Sequence, residues 1–367
     1  MKKQSALGFF SSLMAIICGL IIGLAVLIAT DAGQALPGFA AILAGGFPDG
    51  AKGIGQTLYY ATPIIMTGLS VGFAYKTGLF NIGASGQFMV GAYAAILVGV
   101  KCTFLPPQIH WIAALLASAA AGALWGVVPG LLKAFRNVNE VISCIMMNYI
   151  GMYTVNWLIQ LTVFNKMKNQ SLPVVPAANL PAAGLDKLFD TRNINIGIFI
   201  SLIAVIIIYV ILQKTQFGFE LKACGMNKEA SRYAGINAGR NIVNAMIIAG
   251  LLSGLGGAMT YLSGTGKFMR VVDVLANEGF TGISVAFLGT LNPFGILFAG
   301  LFIAYITVGG QNMQLYNFSP EIINIIISVI IYCGAFSLLF KEIMERFEMK
   351  KIVRNPAAAA NVTAAEV

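Results

Sequence analysis

Six apolar runs set the terms for this chain: Leu7–Ala29, Ile109–Leu132, Val141–Val163, Ile196–Leu212, Ile242–Leu262 and Ile322–Phe340. Most are long enough for a helix to cross the hydrocarbon core of a bilayer, which takes about 18–20 residues. A soluble fold of 367 residues would need far more polar surface than 23 basic and 14 acidic side chains supply, and 58% of the residues are hydrophobic. Lipid removes that requirement and asks only that backbone groups be satisfied within the chain. The sequence therefore predicts an all-α polytopic membrane protein. Leu7–Ala29, although preceded by Lys2 and Lys3, is too long for the apolar region of a signal peptide and is read as the first span.

Two less regular regions, Gly53–Val100 and Gly279–Gly309, are each long enough for two crossings but broken by Gly, Pro and polar residues. With two segments assigned to each, about ten transmembrane segments result, and both termini fall on one side. That side carries Lys2, Lys3, Lys76, Lys133, Arg136, the five cations of the 214–240 loop and the five from Lys341 to Arg354, whereas eight lie opposite. Acidic residues divide evenly, so positive charge alone carries the bias, and both ends are predicted to be cytoplasmic. The net charge of +9 is thus an orientation signal, with no nucleic-acid partner implied.

Residues 1–355 then form one transmembrane domain, with a cytoplasmic loop at 214–240 and an external loop at 164–195, whose prolines suit an ordered loop. Residues 356–367, rich in Ala, read as a disordered cytoplasmic tail. Glycines four apart (Gly122, Gly126 and Gly130; Gly250 and Gly254; Gly19 and Gly23) predict close helix packing. The five cysteines are scattered without CxxC spacing, and His110 has no second imidazole beside it, so neither metal site nor catalytic group is expected. Trp111 and Trp157 fall near span ends, as interfacial anchors do.

The stretch "FGFELKACGMNKEASRYAGINAGR" concentrates charge in a chain that has little. Asn227 is placed to cap a short helix from Lys228 to Ala234 that Gly235 terminates. Ala230, Tyr233 and Ala234 share one face of it. Two turns are too few for independent stability, so such a helix either rests as a connector or docks on a partner.

The segment "GFELKACGMNKEASRYAGIN" resembles the cytoplasmic loop of permease subunits of ABC importers for nucleosides and simple sugars, a group that includes ribose-type and branched-chain amino acid permeases. "GLSVGFAYKTGLFNIGASGQFMVGA", "NEVISCIMMNYI" and "EGFTGISVAFLGTLNPFGILFAG" match in the same order, and the likeness covers nearly the whole chain. Within the group it is strongest to permeases that work with a basic-membrane-protein type lipoprotein to import nucleosides, purine nucleosides above all. The resemblance implies an ABC importer permease fold, a second related permease, a cytoplasmic ATPase that holds ATP and Mg, and an external binding lipoprotein that delivers a small neutral solute. It assigns coupling to the ATPase to Glu220, Gly225, Asn227, Glu229, Ala230, Tyr233 and Gly235. No cofactor is implied for this chain: in "YLSGTGKFM", Tyr261 and Phe268 stand where a P-loop requires Gly and Ser or Thr.

Broken helices at membrane depth either lie buried in protein or line a cavity. The two irregular regions therefore offer the candidate solute pathway: Asn81, Ser85 and Gln87 in the first, Phe280, Thr281 and Ser284 in the second, with Asn148 on the span between. Such residues mark either a pathway or interhelical bonds, and the two regions resemble counterparts of an inverted repeat. An ion-coupled secondary transporter would place an ionisable side chain mid-span, and every Asp and Glu falls in a loop or at a span end. A sugar such as ribose or galactose is the alternative cargo.

Overall fold

The computed structural model describes residues 2–264 and 266–336, together with 339, 342, 343 and 346. Its helices, in chain order, are α1 (Lys2–Thr30), α2 (Ala35–Ala44), α3 (Gly50–Tyr75), α4 (Ala84–Lys101), α5 (Pro107–Arg136), α6 (Glu140–Thr162), α7 (Leu185–Leu188), α8 (Gly197–Lys214), α9 (Gln216–Met226), α10 (Lys228–Tyr233), α11 (Ala238–Tyr261), α12 (Asn277–Leu288), α13 (Pro293–Asn312) and α14 (Pro320–Ala335). Between α6 and α7 a small antiparallel hairpin pairs β1 (Phe164–Asn165) with β2 (Gln170–Ser171). The expected tail at 356–367, and the end of the expected last span, lie outside the described residues.

Among the described residues seven helices are long and apolar enough to cross a membrane: α1, α4, α5, α6, α8, α11 and α13. Three others that the sequence counts as crossings fall short, each for its own reason. Helix α3 has the length but not the hydropathy, because every residue from Ala61 to Ala74 is buried in protein and none has to face lipid. Helix α12 has 12 residues, and α14 has 16 within the described range.

The glycine stripes read from the sequence meet one another. Those of α5 and α11 pack backbone on backbone: a Cβ added at Gly122 or Gly250 would collide with the carbonyl of the other, and Ser118 Oγ donates to the Gly254 carbonyl at 2.6 Å. Helices α1 and α14 run antiparallel, Gly19 against Ile330 and Gly23 against Ile326. Helix α2, which the sequence reading left without an element, seals a second apolar cluster with Leu27, Ile306, Phe318 and Ile326. It is too short to register as a span. The 164–195 loop is ordered by its own buried Val174, Ala178, Leu180 and Ile194 and by bonds from Val175 N to Gly99 O and Leu180 N to Leu262 O.

The two irregular regions pack against each other at the centre. Gly279 of α12 lies on Ser85 and Gly282 on Thr67, closer than any Cβ permits. Thr67 Oγ1 donates to Glu278 O at 2.9 Å, and Ser85 Oγ donates to Ala276 O at 2.7 Å. Thr67 stands about 12 Å up α3 from its Tyr75 end, at 1.5 Å per residue. Helix α12 therefore begins near mid-depth and runs toward that end, where Phe287 packs on Tyr75.

Candidate functional site

Where α3 gives way to α4, the chain turns through 76–83 and sends a cluster of amides inward. Asn81 Nδ2 donates to Gln87 Oε1 at 2.9 Å and to Ser70 Oγ at 3.1 Å, while Gln87 Nε2 returns a bond to Asn81 Oδ1 at 3.3 Å. Asn148 on α6 reaches the same place, accepting from Gly86 N at 2.8 Å and donating to Ile82 O at 3.0 Å. Of the seven pathway residues expected, Asn81, Ser85, Gln87 and Asn148 are thus buried near one another, Asn81 bonded to Gln87, and Ser85 and Asn148 bonded to neighbouring backbone. In this conformation they hold the broken helices in register, the interhelical alternative of the sequence reading. Phe280, Thr281 and Ser284 lie apart from them on the face of α12 away from Gly279 and Gly282, Phe280 exposed and the other two half-buried. Thr281 Oγ1 donates to Asn277 O at 3.1 Å.

Leading into α12, residues 266–276 descend without helix from the Tyr261 end of α11 to mid-depth. This stretch is not read as a site in the sequence, where only the "YLSGTGKFM" at its start is weighed, and set aside, as a P-loop. Near its top, Lys267 Nζ stands 4.8 Å from the Tyr59 ring centroid, a cation–π contact. Farther down, Met269 and Val271 are stitched to the hairpin, Ser171 N donating to Met269 O at 2.8 Å and Val271 N to Asn169 O at 3.2 Å. Asn156 of α6 donates to Val272 O and to Asp273 Oδ1, both at 3.0 Å. Val272, Asp273, Val274 and Asn277 remain uncovered, so non-helical backbone at membrane depth borders open space.

At the opposite end of the bundle lies the charged segment. Asn227 Oδ1 accepts from Ala230 N at 2.9 Å and caps α10, Ser231 Oγ donates to Asn227 O at 2.8 Å, and Gly235 ends the helix at φ 81°. Tyr233 is 94% exposed and Met226 88% exposed, so an aromatic and a thioether project with nothing among the described residues over them. Ala230 and Glu229 share that exposure. Glu220 faces inward instead, accepting from Asn241 Nδ2 at 3.1 Å and tying α9 to α11. Gly225 is pressed on the 76–78 turn: a Cβ there would stand 2.5 Å from Lys76 O and 3.0 Å from Gly78 N. The exposed helix and the buried amide network are thereby joined by one backbone contact and five residues of chain.

Residues 53–335 match the family described as branched-chain amino acid transport system / permease component. The chain belongs to that family of permeases. Among curated relatives it is 38% identical over 339 residues to the guanosine ABC transporter permease protein NupP of Bacillus subtilis, covering 92% of this chain and 96% of the relative. It is 35% identical to the nucleoside ABC transporter permease protein NupB of Lactococcus lactis, over 81% of this chain and 82% of that one. With the glucose ABC transporter permease protein TsgB13 of Haloferax volcanii the identity is 31%, over 79% and 77%. The first two bacteria each have a second guanosine or nucleoside permease among the relatives, at 25% and 26% identity to this chain. No solved structure matches. This permease is accordingly a multi-pass membrane protein and a transport component, and its described residues contain no cluster of three His, Cys, Asp or Glu side chains fit to hold a metal ion.

Proposed function

We propose that this permease is the membrane-spanning subunit of an ABC importer that takes up nucleosides, purine nucleosides foremost. The observation that carries the reading is the 38% identity, end to end, with a guanosine permease, in a chain whose projecting helix α10 suits an external source of force. The sugar alternative rests on a more distant relative. ATP and Mg are held by a cytoplasmic ATPase that receives Met226, Ala230 and Tyr233, and a second related permease completes the pathway, as the paired relatives suggest. An external binding lipoprotein delivers the solute at the hairpin end.

The α9–α10 end is cytoplasmic on this reading, since Lys76, Lys133, Arg136 and the cations of 214–240 gather there. The antiparallel packing of α1 on α14 supports the expectation that both termini lie on that side. The ten crossings are α1, α3, α4, α5, α6, α8, α11, α12 with the descending stretch before it, α13 and α14. Motion of the ATPase enters at α10, passes through Gly225 to the 76–78 turn, and there shifts the Asn81–Gln87 network and the start of α4.

The test is uptake by the complete transporter in vesicles, with guanosine, ribose and galactose as separate cargoes. ATP-dependent accumulation of guanosine is expected. Accumulation of ribose or galactose with exclusion of guanosine establishes the sugar reading, and uptake driven by an ion gradient without ATP overturns both.

A further inference from the structure

The faces that the helices turn away from the bundle differ in chemistry. On α8 the uncovered side chains include Phe199, Ile203, Ile206, Ile207 and Val210, and on α5 they include Leu116, Leu124 and Val128, all hydrocarbon. Lipid tails suit them. On α6 the uncovered face interleaves Ile142, Met146, Ile150 and Leu161 with three aromatics, Tyr149 (49% exposed), Tyr153 (56%) and Trp157 (60%). They repeat every fourth residue, about 6 Å apart along the axis. Tyr149 and Tyr153 lie about 14 and 20 Å along a helix about 34 Å long, far from either interface, where aromatic anchors belong. Neither hydroxyl has a partner among the described residues, and lipid tails offer none.

The rest of the fold shows what lies beside that face. Ser85 and Gly86 are consecutive: the first holds Ala276 at the head of α12, and the second packs against Asn148 of α6. The start of α12 and the middle of α6 are therefore at one level, with Phe280 one residue beyond Gly279, which lies on Ser85, and Tyr149 one residue beyond Asn148. Higher up, Asn156 ties α6 to the uncovered Val272–Asp273 backbone. The aromatic face thus runs beside the open non-helical stretch from the outer third to mid-depth.

We infer that Tyr149, Tyr153 and Trp157 form a ladder on which the flat base of the solute stacks in successive steps, with Phe280 receiving it at the head of α12. Any base presents a π-face, so stacking accepts purines broadly. Three similar rungs also leave no single well deep enough to trap the cargo, as passage through a pore demands. The free hydroxyls meet base edges or ribose in passing. A sugar without a base gains little from the ladder. The inference rests on the nucleoside reading and adds the residues that select for it.

The test uses the complete transporter in vesicles. Replacing both tyrosines (Tyr149→Leu with Tyr153→Leu) is expected to lower guanosine uptake at least tenfold while ATP hydrolysis and subunit assembly persist. Tyr149→Phe with Tyr153→Phe retains stacking and stays within about threefold of wild type, and Ile203→Leu on the lipid face changes nothing. Wild-type uptake by the double Leu variant overturns the ladder alone; absence of guanosine uptake by the wild-type transporter overturns the nucleoside reading and the ladder together. A second measurement places single cysteines at 149 and 153 in a chain with its five native cysteines replaced. Labelling by a water-soluble maleimide, slowed by guanosine, is expected. No labelling, or cross-linking to the second permease without protection by guanosine, assigns the face to lipid or to subunit contact and overturns the inference.

Discussion

Gly225 and Gly78 meet backbone to backbone, the Gly225 carbonyl oxygen and Cα each 3.3 Å from where a Cβ of Gly78 would stand. Gly78 itself sits at φ 75°, a conformation that side chains rarely adopt. This is the place where the charged segment touches the turn that carries the buried amides. A contact between two backbones has no side chain to yield, so it transmits displacement.

Gly225→Ala tests that transmission. The added methyl is forced to 2.5 Å from Lys76 O, an overpacking that costs about 1–3 kcal/mol or shifts α9 outward. The expected outcome is a several-fold drop in solute imported per ATP hydrolysed, with insertion unchanged. A wild-type ratio removes Gly225 from the coupling route.

Asn227→Ala removes the side-chain cap of a six-residue helix, a loss of about 1 kcal/mol. Helix α10 then frays and presents Tyr233 poorly. Binding of the ATPase is expected to weaken about fivefold, as measured by titrating ATPase into nanodiscs that hold the permease pair, while Asn227→Asp restores it. Equal affinity for the Ala variant means that the cap has no part in docking.

The Asn81–Gln87 pair makes a different prediction. Removing one partner (Asn81→Leu or Gln87→Leu) strands a buried amide, at about 1–3 kcal/mol. Replacing both costs less than the two single losses added, because neither amide is then left without the other. Unfolding in detergent, followed as a double-mutant cycle, reads the difference directly; strict additivity would mean that the two amides do not interact.

Lys76 supplies a pH dependence. Burial first, and the Lys222 ammonium second, hold its pKa below the ordinary 10.5. Between the folded value and 10.5 the unfolded chain binds more protons, so the stability this group contributes rises with pH across that window. Below that window Lys76 is charged in both states and the repulsion by Lys222 is fully present. Lys222→Gln is expected to raise the melting temperature at pH 7 by about 1–2 °C and to leave it unchanged above pH 10.5. An equal shift at both pH values points to another cause.

Much of this was legible in the residues. Asn227 and Gly235 declared a helix between them because capping and the left-handed turn are local chemistry, settled within one or two turns of chain. The stripes at Gly122 and Gly250 announced tight packing for the same reason, and apolar length announced α1, α5, α6, α8 and α11. What the sequence left open was the fate of each polar residue: Asn81 and Gln87 satisfy each other, whereas Phe280 and Thr281 face outward, and nothing in their order along the chain separates the two cases. Helix α3 escaped the hydropathy rule because its neighbours, not lipid, surround it. The half-length α12 and the bare descending stretch before it exist because Ser85 and Thr67, some 190 to 210 residues earlier in the chain, hold their carbonyls. Local bonding is decided by nearest neighbours in sequence, but burial and exposure are decided by which helices pack together, and only the tertiary structure contains that choice.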